Sequence, residues 1–461
     1  MKKIAVLTLI VLALVLGTPA IIGFRAETHY QMMIERIQHS GAKVISHRYQ
    51  RGWFVSDAET RLRFALPDEA AIDTSEGLQL TLVSTVTHGP LLPSGVGLAE
   101  AESHLKFADQ AIFPPGYPDS VNTTIDFNGS GRTSIDLPAA EIAGSMGRPD
   151  LSFGGLSGEI GFDVERGALD IRLLLKQLVV GNTGNRSVNL TGAQVISNFA
   201  TGSSGLMLGS AEFSAQQLAL GELEGGEQVG LYQPSIQLNS SERSDQVSTV
   251  VSYAFEKLEA GRAVYGPGQL QIELNRLSAP VLQRLQRETE EIRDQKLSDA
   301  ARSLALMGVA TNFAGELLQN DPELKIAPLR LVTPQGTLQG ELSLRSKGLS
   351  LLDLANITLL VSKLDATMSL SIPEELLRMM LKARTNLLLE QQLAESMEQG
   401  GAVPELDQDQ LQELVELQVD EQLNNWLSQQ FLTREGGDLV VVASLSSGSL
   451  IVNGRTLPLT P

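Results

Sequence analysis

From Val44 to about Ser278 the chain alternates between apolar and polar residues, and the segments 60–66, 78–82, 124–127 and 269–274 each send every second side chain to an apolar face. A period of two is that of the β-pleat. Gly, Asn, Ser and Pro interrupt the alternation at hairpin intervals, which predicts antiparallel strands with one face covered and the other wet. The period lengthens at Ser278-Ala279-Pro280, a cap with proline near the first helical position. Val281, Leu282, Leu285, Ile292, Leu297, Ala301, Leu304, Val309, Phe313 and Leu317 then recur at helical spacing as far as Asp321-Pro322. A hairpin is predicted at Thr333-Pro334-Gln335-Gly336, two more helices over 374–399 and 409–432, and a final hairpin at Asn453-Gly454. In the last helix Leu411, Val415, Val419, Leu423, Trp426 or Leu427, and Phe431 form one stripe. That stripe either covers the sheet or packs against a second copy of the chain.

The N-terminus has a different pattern. After Met1-Lys2-Lys3, residues 4–24 carry no charge, and a helix of that length spans roughly 30 Å, the thickness of a bilayer's hydrocarbon core. Thr18-Pro19-Ala20 is a poor cleavage site, so an uncleaved anchor is expected rather than a removed signal peptide. Lys2 and Lys3 favour an N-inside orientation, which places the bulk of the chain in a bacterial periplasm as a single-pass inner-membrane protein. Residues 26–42 read as a short helix that stops at Gly41. The expected fold class is α+β: an N-terminal transmembrane helix, then an elongated, mostly antiparallel β-sheet domain with helices in the C-terminal half. The expected divisions are 1–25 (anchor), 26–278 (membrane-proximal helix and β-rich region) and 279–461 (helical blocks and closing hairpins on the same sheet).

Composition narrows the chemistry. With no Cys in 461 residues there is no disulfide, thiolate metal site or cysteine nucleophile. All five histidines (His29, His39, His47, His88, His104) lie in the first 104 residues, which removes most triad and metal chemistry from the rest. A net charge of −19 and few aromatics argue against nucleic acid, which is bound through clustered cations and stacking rings. No Walker A, G-x-G-x-x-G, G-x-S-x-G or calcium-loop pattern occurs. Neither a cofactor nor a metal is expected.

Two clusters stand out. In His47-Arg48-Tyr49-Gln50-Arg51-Gly52-Trp53-Phe54-Val55-Ser56, Arg51 suits a carboxylate or phosphate, and Tyr49 and Trp53 supply amphipathic contact surface. The plainer reading is a strand entry in which Gly52 permits a turn and the aromatics pack on the sheet. His88-Gly89-Pro90 ends an alternating strand. His88 is a candidate base or pH-sensitive group, but no partner for it is visible in the sequence. No catalytic residue is assigned, and Tyr49, Arg51, Trp53 and His88 are carried forward as binding candidates.

The ordered series Tyr49-x-Arg51-Gly52-x-Phe54-x-Ser56, His88-Gly89-Pro90, Ile326-Ala327-Pro328-Leu329 with Gln335-Gly336, Leu364-Asp365-Ala366 with Ile372-Pro373, and Asn453-Gly454 resembles the YdgA-like family of bacterial envelope proteins. That family is named for a domain of unknown function. The resemblance covers essentially the whole chain and implies an inner-membrane-anchored protein with a β-rich periplasmic domain in a Gram-negative bacterium. It implies no reaction.

These readings lead to a non-enzymatic envelope protein whose sheet binds lipid or another amphipathic ligand. The alternatives are a structural or regulatory scaffold acting as a homo-oligomer, and an envelope hydrolase using carboxylates. The expected partners are the membrane through the N-terminal helix, a lipid or envelope protein, and a second copy of the chain.

Overall fold

The computed structural model describes residues 27, 31, 34, 43–64, 78–107, 110–111, 120–142, 150–181, 187–221, 228–295, 297–350, 352–353, 356–398 and 408–457. These residues form mostly antiparallel sheet with five helices. Contacts divide the chain into two units, one formed by residues up to 228 with 286–306, the other by 229–285 with 307–461.

The alternating half of the chain folds as its period predicts. In the first unit β1 (Lys43–Gln50), β2 (Val55–Phe64) and β3 (Leu78–His88) are followed by a two-rung ribbon, β4 (Leu91–Leu92) with β5 (Gly95–Val96), and then β6 (Ala99–Phe107). The order β1–β2–β3–β6 continues through Ser120–Ile125, Gly131–Leu137, Leu156–Asp163, Ala168–Gly181, Ser187–Thr201 and Met207–Ser214, each antiparallel to the last. β1 carries a register shift between Val44 and Ser46.

Directly opposed residues in antiparallel strands share a face, so register identifies what each face presents. One row runs Ser56, Val86, Ala101, Thr123, Thr133, Ile160, Ile171, Ser197, Ala211. Another on the same face runs Ala58, Ser84, Ser103, Val121, Ile135, Gly158, Leu173, Val195, Phe213. The reverse face carries Asp57, Thr85, Glu102, Asn122, Ser134, Glu159, Arg172, Ile196 and Glu212. The polar row is largely exposed, whereas the uncharged rows pass from buried at β2, β3 and β6 to mostly half-buried beyond them.

The second unit repeats the device. Leu238, Val251, Ile272, Ile326, Leu342, Met368 and Ala443 form one cross-strand row. Here one end of the face is roofed by the helices Glu374–Glu398 and Gln408–Ser428. Val415, Val419 and Leu423 of the stripe are buried together with Ile372, Leu376, Leu381, Leu432 and Leu439, and Trp426 packs beside them. The stripe therefore covers this unit's own sheet, and those three side chains are not available to a second copy. The helix stops at Ser428 rather than Leu432: the Phe431 N–H donates to the Trp426 carbonyl, turning Leu432 into the core. The helical block after Ser278 is two helices, Ala279–Asp294 and Asp299–Leu318, and the Ser298 hydroxyl accepts from the Ala301 N–H at the second start.

One expected element is corrected. Among the described residues no helix is long and apolar enough to cross a membrane. The longest of them, Glu374–Glu398, sets Arg378, Lys382 and Arg384 among its leucines, as suits a helix with one face in water. The N-terminal transmembrane helix placed on residues 4–24 lies outside the described residues; among the described residues the architecture is antiparallel sheet with five helices, none of them able to cross a membrane. Of the short helix expected over 26–42, Glu27, Gln31 and Ile34 are described, and all three are helical.

Candidate functional site

The two clusters singled out in the sequence meet at one corner of the first unit. β1 and β2 pair from Lys43–Arg63 to Gln50–Asp57, leaving residues 51–54 to cross between them. β3 is antiparallel to β2 and brings His88 back beside that crossing. The His88 N–H donates to the Phe54 carbonyl (2.8 Å), and its ring closes the corner, with Nδ1 3.3 Å from the Trp53 carbonyl and Nε2 2.9 Å from the Ser56 hydroxyl. A carbonyl only accepts, which assigns the proton to Nδ1; in the neutral ring Nε2 then accepts from the Ser56 O–H. The Gly52 N–H donates to the same hydroxyl oxygen (3.3 Å).

Both glycines are required by close backbone approach. A Cβ on Gly52 would lie 2.0 Å from the Val55 carbonyl oxygen, and one on Gly89 would lie 1.8 Å from that of Gly97. Gly89 and Gly97 anchor the β4–β5 ribbon, the Gly89 N–H donating to the Leu98 carbonyl and the Gly97 N–H to that of Pro90.

This Ser–His pair is geometrically a nucleophile with its base, but Ser56 has no exposed surface and His88 is 2% exposed, so a substrate has no route to the hydroxyl. Their chemistry is that of a lock. What the lock presents is apolar: Trp53, Phe54, Val55, Leu91 and Val96 are all exposed, Leu91 and Val96 to about 70%. Arg51, 44% exposed, also reaches the Glu27 carboxylate at 3.2 Å. Tyr49 is half-buried opposite Ala58, on the uncharged face. Ser56 as the partner of His88 was missed in the sequence, although counting back along the β2–β3 hairpin from its alternation brings the two ends together.

Among the described residues no group of three or more His, Asp or Glu side chains is placed to hold a metal ion. The family model described as a bacterial protein of unknown function (DUF945) matches residues 1–460. The chain belongs to this family. No curated protein and no solved structure matches it.

In this DUF945 chain the remaining motif positions lie in the second unit, at turns and close packings. Pro328, which has no N–H to give a ladder, sits at the register shift between Ile326 and Leu329. Gly336 opens the next strand, and a Cβ there would lie 2.8 Å from Cγ of Pro373. Asp365 meets Lys347 at 2.5 Å and accepts from the Ser446 hydroxyl, and Lys347 holds its carboxyl below the usual range. Asn453 and Gly454, at φ 46° and 80°, form the last hairpin turn, and the Asn453 amide donates to the Gln430 and Phe431 carbonyls. These positions hold the scaffold. Only the first-unit set, Tyr49, Arg51, Gly52, Phe54, His88, Gly89 and Pro90, builds a surface feature.

Proposed function

We propose that this protein binds an amphipathic ligand, a lipid in the simplest case, along the uncharged sheet face of its first unit, and does so without catalysing a reaction. One observation carries the reading. Two adjacent cross-strand rows run over nine strands without a charged side chain, and from Val121 onward they are mostly half-buried rather than sealed in a core. Against that breadth, the buried cluster described at this sheet is small, Leu137 and Ala140 with five partly buried neighbours among the described residues. An apolar surface wider than its core favours an apolar occupant, because removing such area from water stabilises by about 25 cal/mol per Å². Dedication to binding is further supported by the sealed Ser56–His88 pair, whose hydroxyl is out of a substrate's reach. The resemblance to YdgA-like proteins adds the expectation that the work is done in a bacterial envelope.

Native mass spectrometry of the full chain, with solvent extraction of the same preparation, tests this. A bound lipid is expected, and Leu173→Glu on the half-buried face should abolish it while circular dichroism stays unchanged. A ligand-free spectrum across independent preparations overturns the reading.

A further inference from the structure

We propose that the ligand of the first unit's uncharged face is an ester-linked acyl lipid whose ester carbonyl accepts a hydrogen bond from Ser197. The inference deepens the reading of that face as a lipid site and rests on it. Ser197 stands in the row that runs from Ser56 to Ala211, with Ile171 and Ala211 opposite it on the neighbouring strands. It is 6% exposed, and among the described residues its hydroxyl has no hydrogen-bond partner.

That orphan is informative because the same two rows satisfy every other hydroxyl they carry. Ser56 is bonded to His88 at 2.9 Å, Ser84 to Ser103 at 2.7 Å, and Thr123 to Thr133 at 2.9 Å. Around Ser197 the neighbours on its face are Ile171, Ala211, Val195 and Phe199, whose side chains have no polar atom to offer. A buried hydroxyl left in this state costs free energy that a ligand group can return.

The face also selects the group. With no charged side chain in either row, a phosphate or carboxylate would be buried without a counter-charge, and an amide would bring an N–H with nothing to receive it. An ester carbonyl needs one donor, and Ser197 is one. Anchored there, the acyl chain lies along the rows toward Ile171 and Leu173, then Ile160, then Ile135. Half of a bilayer's hydrocarbon core is about 15 Å, roughly three strand spacings. Three strands carry the chain from Ser197 to the strand Gly131–Leu137, and midway Gly158 puts no side chain between Leu173 and Ile135. Val195, Phe199 and Ile171 are half-buried, so rotamer changes open the seat when a chain presses on the face.

The test is a competition. The full chain is offered an equimolar mixture of dipalmitoyl phosphatidylcholine and its dialkyl ether counterpart, which has the same headgroup and chain length but no carbonyl, and the bound lipid is read by native mass spectrometry. The wild-type chain should hold the diester about tenfold over the diether. Ser197→Ala should hold the two about equally, through loss of the diester. Because it removes an orphan, this variant should melt no lower than wild type, and the lost preference is then not a lost fold. An even ratio on the wild-type chain, or a preference that survives Ser197→Ala, overturns the assignment and leaves the lipid reading of the face standing. A lower melting point for Ser197→Ala also overturns it, since the hydroxyl would then be satisfied within the chain. No bound lipid of either kind overturns the lipid reading and this inference together.

Discussion

The two units carry the same kind of sheet and finish its apolar face differently. In the second, the helices Glu374–Glu398 and Gln408–Ser428 lie on one end, and eight side chains from Ile372 to Leu439 disappear into a shared core. The roof is tied down: Arg434 grips Glu374 through two 2.9 Å hydrogen bonds, Arg378 joins Glu374 to Asp420, and Lys382 meets Glu416 at 2.7 Å. In the first, Leu137 and Ala140 form a small buried cluster among the described residues, and the rows beyond β6 stay mostly half-buried. Identical alternation therefore leads to opposite ends, a sealed core where helices are available to cover it and a standing surface where the sheet curtails its own exposure. The difference marks the second unit as the more tightly sealed of the two.

That contrast can be broken by matched substitutions, and each unit has its own tryptophan, Trp53 in the first and Trp426 in the second, to report unfolding. Leu423→Ala in the roofed core should cost about 2–5 kcal/mol in urea titrations followed at Trp426. The equivalent Leu173→Ala on the open face should cost about 1 kcal/mol; equal losses would show that the open face is a core after all. Ser56→Ala, which strips His88 of its donor, is expected to destabilise the first unit by roughly 1–3 kcal/mol and to alter Trp53 emission, with Trp426 unaffected. Glu374→Gln removes the carboxylate that two arginines share. Arg434 above all, and then Arg378, hold its carboxyl below the usual range, so the loss should be about 1 kcal/mol and should shrink in high salt.

The smallest effect is set by acid. Lys363, aided by the Ser350 hydroxyl and N–H, lowers the Asp353 carboxyl to about 2. A depressed carboxyl stabilises fully above its unfolded value near 4 and loses that contribution as pH falls toward 2. Second-unit stability should therefore drop across that window, and Asp353→Asn should flatten the drop.

Most of the sheet was legible because its strands keep a period of two apart from a few register shifts, and the hairpins at Thr333–Gly336 and Asn453–Gly454 were legible because their turn residues are dictated by backbone geometry. Helix ends were less so. Phe431 continues the stripe's spacing, yet after Ser428 the chain turns and Leu432 is the residue that reaches the core, a choice made by tertiary packing rather than local preference. The stripe itself could be read as core or as interface, since helical spacing records which side is apolar and not what covers it. For the candidate site, the sequence marked His88 and the Arg51–Trp53 loop separately. Their convergence depends on the β2–β3 register, a long-range fact, and so does the exposure of Leu91 and Val96 on a ribbon of two rungs.

The register shift in β1 bears on a different hazard. Among the described residues β1 pairs with β2 alone, which makes it the margin of this run of strands. Such a margin is a template for fibrous self-addition, and a kink with basic side chains is how natural sheets spoil it. The irregularity at Val44–Ser46, bracketed by Lys43 and Arg48, leaves an incoming strand no straight, neutral ladder to extend. Regularising it would be expected to turn a soluble preparation into aggregate.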